Sequence, residues 1–134
     1  MELSEAELNQ RKPVWHAMSE LFLDTELDDS ALEHIAGVFV DSGYSLTELR
    51  VILDSEVGPV LYKNLYSVAG VWSGFDEHWL NEQIIAYLKA PKRWQDALLD
   101  PIRRLFKPGP NMLHWPELVM KYQAIKRRKG TIEL

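Results

Sequence analysis

Apolar residues recur along this chain three and four positions apart, the spacing that places them on one face of an α-helix. Clean alternation of apolar and polar residues, which would predict a strand, does not extend over several positions anywhere. Seven apolar stripes can be drawn: Val14, Trp15, Met18, Leu21 and Phe22; Leu32, Ile35, Ala36 and Phe39; Leu46, Leu49, Ile52 and Leu53; Val60, Leu61 and Leu65; Trp79, Leu80, Ile84, Tyr87 and Leu88; Trp94, Leu98, Ile102 and Leu105; Trp115, Leu118, Val119, Tyr122 and Ile125. We therefore predict an all-α fold in which residues 1–134 form a single compact domain of six or seven short amphipathic helices.

Start and stop signals divide these stripes into helices. Three serines each precede a glutamate by three positions, as in a capping box: Ser4 with Glu7, Ser30 with Glu33, and Ser45 with Glu48. Pro13 suits the first turn of the helix that follows it, because its missing N–H would have no partner there. Gly43 can supply a left-handed C-terminal residue, Gly58-Pro59 predicts a kink or break, and Asp76 can cap the helix that ends before Pro91.

Composition excludes several classes of protein. The 134 residues suffice for one domain, and 46% hydrophobic with 26% charged residues is typical of a soluble globule. The absence of cysteine excludes disulfides, thiolate metal sites, iron–sulfur clusters and cysteine nucleophiles. The N-terminus is acidic and lacks the features of a secretory signal, and no charge-free stretch approaches the length of a membrane span. We expect a cytoplasmic protein.

Charge is distributed unevenly along the chain. Residues 1–67 carry thirteen acidic and four basic residues, whereas residues 68–134 carry seven acidic and eleven basic residues. This asymmetry indicates either two surfaces of opposite sign or two halves of the chain that attract each other. The basic cluster Lys126–Lys129 follows the last apolar stripe, where a helix dipole favours cations. A pI of 5.3 makes nucleic acid an unexpected partner.

Motifs for catalysis or metal binding are not apparent. The pairs His16–Glu20 and His78–Glu82 have a spacing that could place two ligands on one helical face. Neither HExxH nor ExxH accompanies them, so surface His–Glu pairs are the favoured interpretation and no metal site is predicted. Phosphate-binding glycine loops and GxSxG are also absent, and we predict no cofactor.

Two segments are candidates for binding a partner. The first is acidic, with Asp24, Glu26, Asp28 and Asp29 between two predicted helices. It is either a solvated turn whose charges favour the next helix N-terminus or a patch that docks a basic partner. The second, residues 67–76, combines two glycines with Trp72, Phe75 and Asp76. Its aromatics either close the core or anchor a partner.

Four strings of the sequence also resemble a known family. They are Glu20-Leu-Phe-Leu-Asp-Thr-Glu-Leu27, Ser42-Gly-Tyr-Ser-Leu-Thr-Glu-Leu49, Glu56-Val-Gly-Pro-Val-Leu61 and Asn64-Leu-Tyr-Ser-Val-Ala-Gly-Val-Trp-Ser-Gly-Phe-Asp76. Together they resemble a family of short bacterial proteins known as a domain of unknown function, over roughly residues 11–85. The resemblance implies a bacterial origin and assigns no catalytic residue.

Two functional hypotheses follow. The first is a non-enzymatic protein-binding module, specifically an immunity protein that neutralises a cognate bacterial toxin, since an acidic surface suits a basic toxin domain. The alternative is a small ligand-binding or enzymatic helical domain with a pocket near Asp76 and His78. A toxin gene directly beside this one would favour the first hypothesis. A bound metal or a deep pocket with convergent polar groups would favour the second.

The lack of a ligand set leads to a prediction about metal. Dialysis against a chelator should leave the melting temperature unchanged, because we predict no metal site. A structural metal would contribute directly to the folding free energy, so its removal would lower the melting temperature. The measurement is thermal unfolding followed by far-ultraviolet circular dichroism, with and without chelator. A fall of several degrees would mean that the histidines were wrongly interpreted.

Overall fold

The computed structural model of the chain describes residues 3–22, 27–61, 77–90 and 114–132. All regular elements within these ranges are helical, which confirms the all-α prediction. They comprise the α-helices α1 (Glu5–Ser19), α2 (Asp29–Asp41), α3 (Leu46–Ile52), α4 (Glu77–Lys89) and α5 (Trp115–Ile132), with a 3₁₀ turn at Glu20–Phe22 and a π-helical segment at Leu53–Val57. Five α-helices in the described ranges are fewer than the six or seven predicted for the whole chain. The stripe of Trp94 to Leu105 and the loop with Asp76 lie outside those ranges.

Two of the three predicted capping boxes are present. The Ser4 hydroxyl accepts from the Glu7 N–H at 3.2 Å, and the Glu7 carboxylate accepts from the Ser4 N–H at 3.1 Å. Ser45 and Glu48 form the same pair of bonds, at 3.1 and 3.0 Å. The box predicted at Ser30 and Glu33 is wrong. Asp28, an equally good N-cap residue, begins α2 two positions earlier by accepting from the Ala31 N–H at 2.8 Å.

The prediction for Pro13 is wrong, and of the kink or break predicted at Gly58-Pro59 the break is wrong. Pro13 lies in the interior of α1, because the Ser4–Glu7 capping box starts the helix at Glu5. At Gly58-Pro59 the helix neither ends nor breaks: helical structure continues through residues 58–61. The irregularity comes just before, where the Gly58 N–H reaches back five residues to the Leu53 carbonyl. Since Pro59 cannot donate to the helical ladder, a widened π turn keeps the chain in a helical path. The left-handed Gly43 is confirmed, with φ of 81°.

The core lies where the described helices meet, with α5 packed mainly on α2, and α1 against α2, α4 and the π segment. Ring centroids of Phe39 and Trp115 are 6.2 Å apart across α2 and α5. Most of the predicted stripe residues in the described ranges are fully buried: Val14, Trp15, Met18, Leu21, Leu32, Ile35, Phe39, Leu49, Leu53, Leu61, Leu80, Ile84 and Leu118. The periodicity therefore identified the inward faces correctly.

The capping boxes predict how stability changes with pH. Backbone N–H donation from Ser4 and Ser45 lowers the pKa of Glu7 and of Glu48 from the ordinary value of 4.5. A lowered folded-state pKa contributes stability that is complete above the unfolded-state value and is lost as pH falls through the folded-state value. The double variant E7Q/E48Q keeps a neutral acceptor at each cap. Its melting temperature should therefore decrease less than the parent's between about pH 5 and about pH 3.

The matched control is E5Q/E77Q, which removes two exposed first-turn acids that belong to neither capping box. Its melting temperature should follow the parent's pH dependence more closely. Parallel curves for all three proteins would show that the capping boxes contribute no pH dependence.

Candidate functional site

A carboxylate is buried in the core. Glu56, on the inward side of the π segment, is 2% exposed. One of its oxygens accepts from the Trp15 indole Nε1 at 2.8 Å, and the other accepts from an Arg11 guanidinium nitrogen. Burial acts to lower the pKa of Arg11, but the hydrogen bond and charge of Glu56, together with Tyr44, outweigh it, so that the pKa is raised. Two residues of α1 thus supply the hydrogen bonds that a buried carboxylate requires.

The network extends from this ion pair to the last helix. The Arg11 guanidinium lies 5.6 Å from the centre of the Tyr44 ring. The Tyr44 carbonyl accepts from the Tyr122 hydroxyl at 2.8 Å, and that hydroxyl accepts from Lys126 Nζ at 3.2 Å. These contacts connect α1, the π segment, the α2–α3 turn and α5 through polar groups.

The Glu56 carboxylate has a structural role. Both oxygens have donors and the side chain has almost no contact with solvent, so no substrate can approach it. Local sequence patterns do not reveal the pair of Arg11 and Glu56, because its members are 45 residues apart. A signal was available, since Glu56 follows Leu53 by three residues and precedes Val60 by four, and so shares a helical face with both. A charged residue on a buried stripe requires a partner of opposite charge.

A second cluster of charges lies between α2 and α5. Lys121 Nζ is 3.4 Å from Asp29 and 3.5 Å from Glu33. Arg128 donates to Glu33 at 3.1 Å, and Lys129 donates to Asp41. We call these six residues the α2–α5 seam. Of the two interpretations of the charge asymmetry, attraction between the halves of the chain accounts for these contacts.

The α2–α5 seam orients α5 on α2 more than it contributes to the stability of the fold. Burial acts to lower the pKa of Lys121, but Asp29 and Glu33 outweigh it and raise that pKa. The other seam side chains are between 48% and 86% exposed to solvent, and exposed pairs contribute only about 0–1 kcal/mol each. The free energy that holds α5 on α2 therefore comes mainly from apolar contacts such as Phe39 with Trp115.

The predicted acidic patch lies only partly within the described residues. Asp28 is the N-cap of α2, and Asp29 occupies its first turn with a side chain that is 86% exposed. The interpretation that these acids favour a helix N-terminus is therefore correct for both. Asp24 and Glu26 lie outside the described residues.

Of the two residues that define the alternative hypothesis, only His78 lies within the described part of the chain. Trp72, Phe75 and Asp76 all lie outside it. His78 is 82% exposed on α4 and pairs with Glu82 at 2.9 Å, the surface pair that the spacing favoured. Among the described residues, no three His, Asp or Glu side chains are grouped as a metal site would need. None of the described helices is long and apolar enough to cross a membrane.

The fold and these contacts define a small helical protein built around a buried ion pair and a charged interhelical seam. The chain belongs to the family described as Domain of unknown function (DUF7079), whose sequence profile matches residues 9–121. The resemblance over roughly residues 11–85 is thereby confirmed, and the match extends further toward the C-terminus. No curated protein and no solved structure matches the chain.

The buried ion pair leads to a prediction about stability. R11M should lower the free energy of unfolding by about 3 kcal/mol, because it leaves the Glu56 charge buried without its cation. The double variant R11M/E56Q should recover much of this loss, since a neutral glutamine still accepts from Trp15. The measurement is urea unfolding. R128M, which removes an exposed partner of Glu33, is the control and should cost less than about 1 kcal/mol. Equal losses in R11M and R128M would contradict a dominant role for the buried pair.

Proposed function

We propose that this chain is a protein-binding module, and specifically an immunity protein that neutralises a cognate bacterial toxin through its acidic surface. The observation that carries the proposal is the exposure of the acids at the start of α2. Asp29 is 86% exposed although Lys121 lies 3.4 Å away, and Glu33 is 48% exposed although two cations contact it. Both carboxylates can therefore still accept a cation from another molecule.

The position of these acids supports the same proposal. Asp29 directly continues the acidic run that begins with Asp24 and Glu26, in the half of the chain that holds thirteen of the twenty acids. A surface of one sign accelerates encounter with a partner of the opposite sign and disfavours partners of like charge. A basic toxin domain, such as a nuclease that must itself bind polyanions, has the matching charge.

An apolar anchor completes the proposed interface. Trp72 and Phe75, with Asp76 beside them in sequence, are our candidates, because aromatic residues supply most binding hot spots. Truncating either to alanine should weaken binding by about 2 kcal/mol if it is a hot spot. In this proposal the acidic residues set the association rate, whereas the aromatics slow dissociation.

The proposal also specifies the kind of partner. Lys126, Arg128 and Lys129 of the basic cluster contact the chain's own Tyr122, Glu33 and Asp41, which favours a protein over a nucleic acid as the partner. The protein acts by binding, without catalysis or a cofactor. We propose the cytoplasm as its site of action, where a nuclease toxin meets its substrates.

Charge reversal on the acidic patch tests this proposal. The triple variant D24K/E26K/D29K leaves the Asp28 cap intact, so that α2 can still begin at Asp29. Binding to the product of the adjacent gene is measured by stopped-flow association at low and moderate salt. We expect the association rate at low salt to fall by about tenfold or more, with a weaker salt dependence.

The control variant E5K/E77K/E82K has the same net charge but changes exposed acids on α1 and α4. It should slow association less than the patch variant, because only acids close to the interface act at short range. If both variants slow association equally, overall charge and not the acidic patch sets the association rate. If the parent binds no product of a neighbouring gene, the immunity function is wrong.

A further inference from the structure

The outward side of α5 carries a stripe that the protein-binding proposal does not use, in which Glu117, Met120 and Arg127 are exposed and Ala124 is partly buried. Glu117, Met120, Ala124 and Arg127 follow each other at steps of three, four and three residues, and so share one face of the helix. Leu118 and Tyr122 are buried on the opposite face. Met120 is 69% exposed, which makes it one of only two large apolar side chains exposed among the described residues. We call these four residues the α5 stripe.

The stripe has the surroundings of a small interface. A groove runs beside it, lined by the stripe together with Asp29, Glu33, Lys121 and Arg128. Interfaces commonly have an apolar centre and a charged rim. Methionine suits such a centre because its flexible side chain adapts to the opposing surface. The stripe thus has an apolar middle, an acid at one end and a base at the other.

This order of residues is complementary to itself. Glu117 and Arg127 are ten residues apart, about 15 Å along the helix, and Met120 and Ala124 lie between them, about 6 Å apart. Both pairs are centred on the level of residue 122. If a second copy of α5 lies antiparallel across the stripe, Glu117 meets Arg127 of the second copy, and Met120 meets its Ala124. A two-fold axis repeats both contacts, as an isologous interface requires.

We propose that the α5 stripe is the contact surface of a symmetric homodimer in which two α5 helices pack antiparallel. Charge complementarity selects a second copy as the occupant. An acidic partner would meet Glu117 and a basic partner would meet Arg127, whereas a copy in the opposite direction places an opposite charge against each end. The large side chain of Met120 against the small Ala124 allows the helices to approach closely. A single pair of helices buries less than the roughly 1,200 Å² of a standard interface, so the dimer is weak and depends on concentration.

The proposal is tested by reversing each end of the stripe separately and then both together. Self-association of the full chain is measured by sedimentation equilibrium from about 10 µM to about 1 mM at low salt, a range that suits a weak complex. E117K and R127E each oppose like charges at two symmetric positions, and each should weaken the dimer by about tenfold. E117K/R127E restores opposite charges across the interface and should return the dissociation constant to within about twofold of the parent's.

Thermal unfolding separates this effect from damage to the helix. In the parent, Glu117 lies in the first turn of α5, where the helix dipole favours an acid. The double reversal places a cation in this first turn, so its melting temperature should not return to the parent's even though its dimer does. Controls with the same charge changes, E5K, K89E and E5K/K89E, should leave self-association unchanged.

Several results would overturn the proposal. One is a parent that stays monomeric throughout the concentration range. Another is a double variant that associates no better than the single variants, which would exclude the antiparallel arrangement. If the control reversals weaken self-association equally, net charge and not the α5 stripe accounts for the effect. A monomeric parent that instead binds the product of the adjacent gene through Met120 would assign the stripe to that partner.

Discussion

The Glu56 carboxylate imposes the constraint to which much of this structure responds. At 2% exposure, an unpaired negative charge would cost several kcal/mol, so the folded state must hold a cation and a further donor against it. Both donors, Arg11 and Trp15, come from α1 and lie one turn apart. Because hydrogen bonds tolerate little displacement, they define how α1 meets the π segment. Arg11 also contacts Tyr44, whose carbonyl accepts from Tyr122, so that α5 is oriented by the same network.

Charged residues outside the core also hold these helices together, but they contribute less to the free energy of folding. The excess acid of the first half and the excess base of the second half meet along the α2–α5 seam, where α5 is already held by apolar contacts. Asp29 and Glu33 therefore have two roles in our proposals. They orient Lys121 and Arg128 within the chain, and they remain exposed enough to receive a basic partner. The α5 stripe adjoins the same groove, so the two proposed interactions use neighbouring surfaces.

Local signals predicted some elements well and failed at others for physical reasons. The boxes at Ser4 and Ser45 involve residues three apart, and no distant contact was needed to identify them. At α2 two good caps compete within three residues, and Asp28 is the one used. Taken alone, Pro13 suits a first turn, because a proline in a helix interior is costly. The Ser4 capping box nevertheless starts α1 upstream, so that Pro13 lies inside the helix.

The sequence by itself determined the helical class, the inward faces of α1 to α5 and the unequal charge of the two halves. These are properties of neighbouring residues, and the period of apolar positions is the same whatever those positions pack against. Only the tertiary structure decided that Arg11 neutralises Glu56 and that Lys121 and Arg128 meet the acids of α2. Each of these depends on residues far apart in the chain. Their pairing is set by how the helices pack, and the spacing of residues along the chain contains no direct record of it.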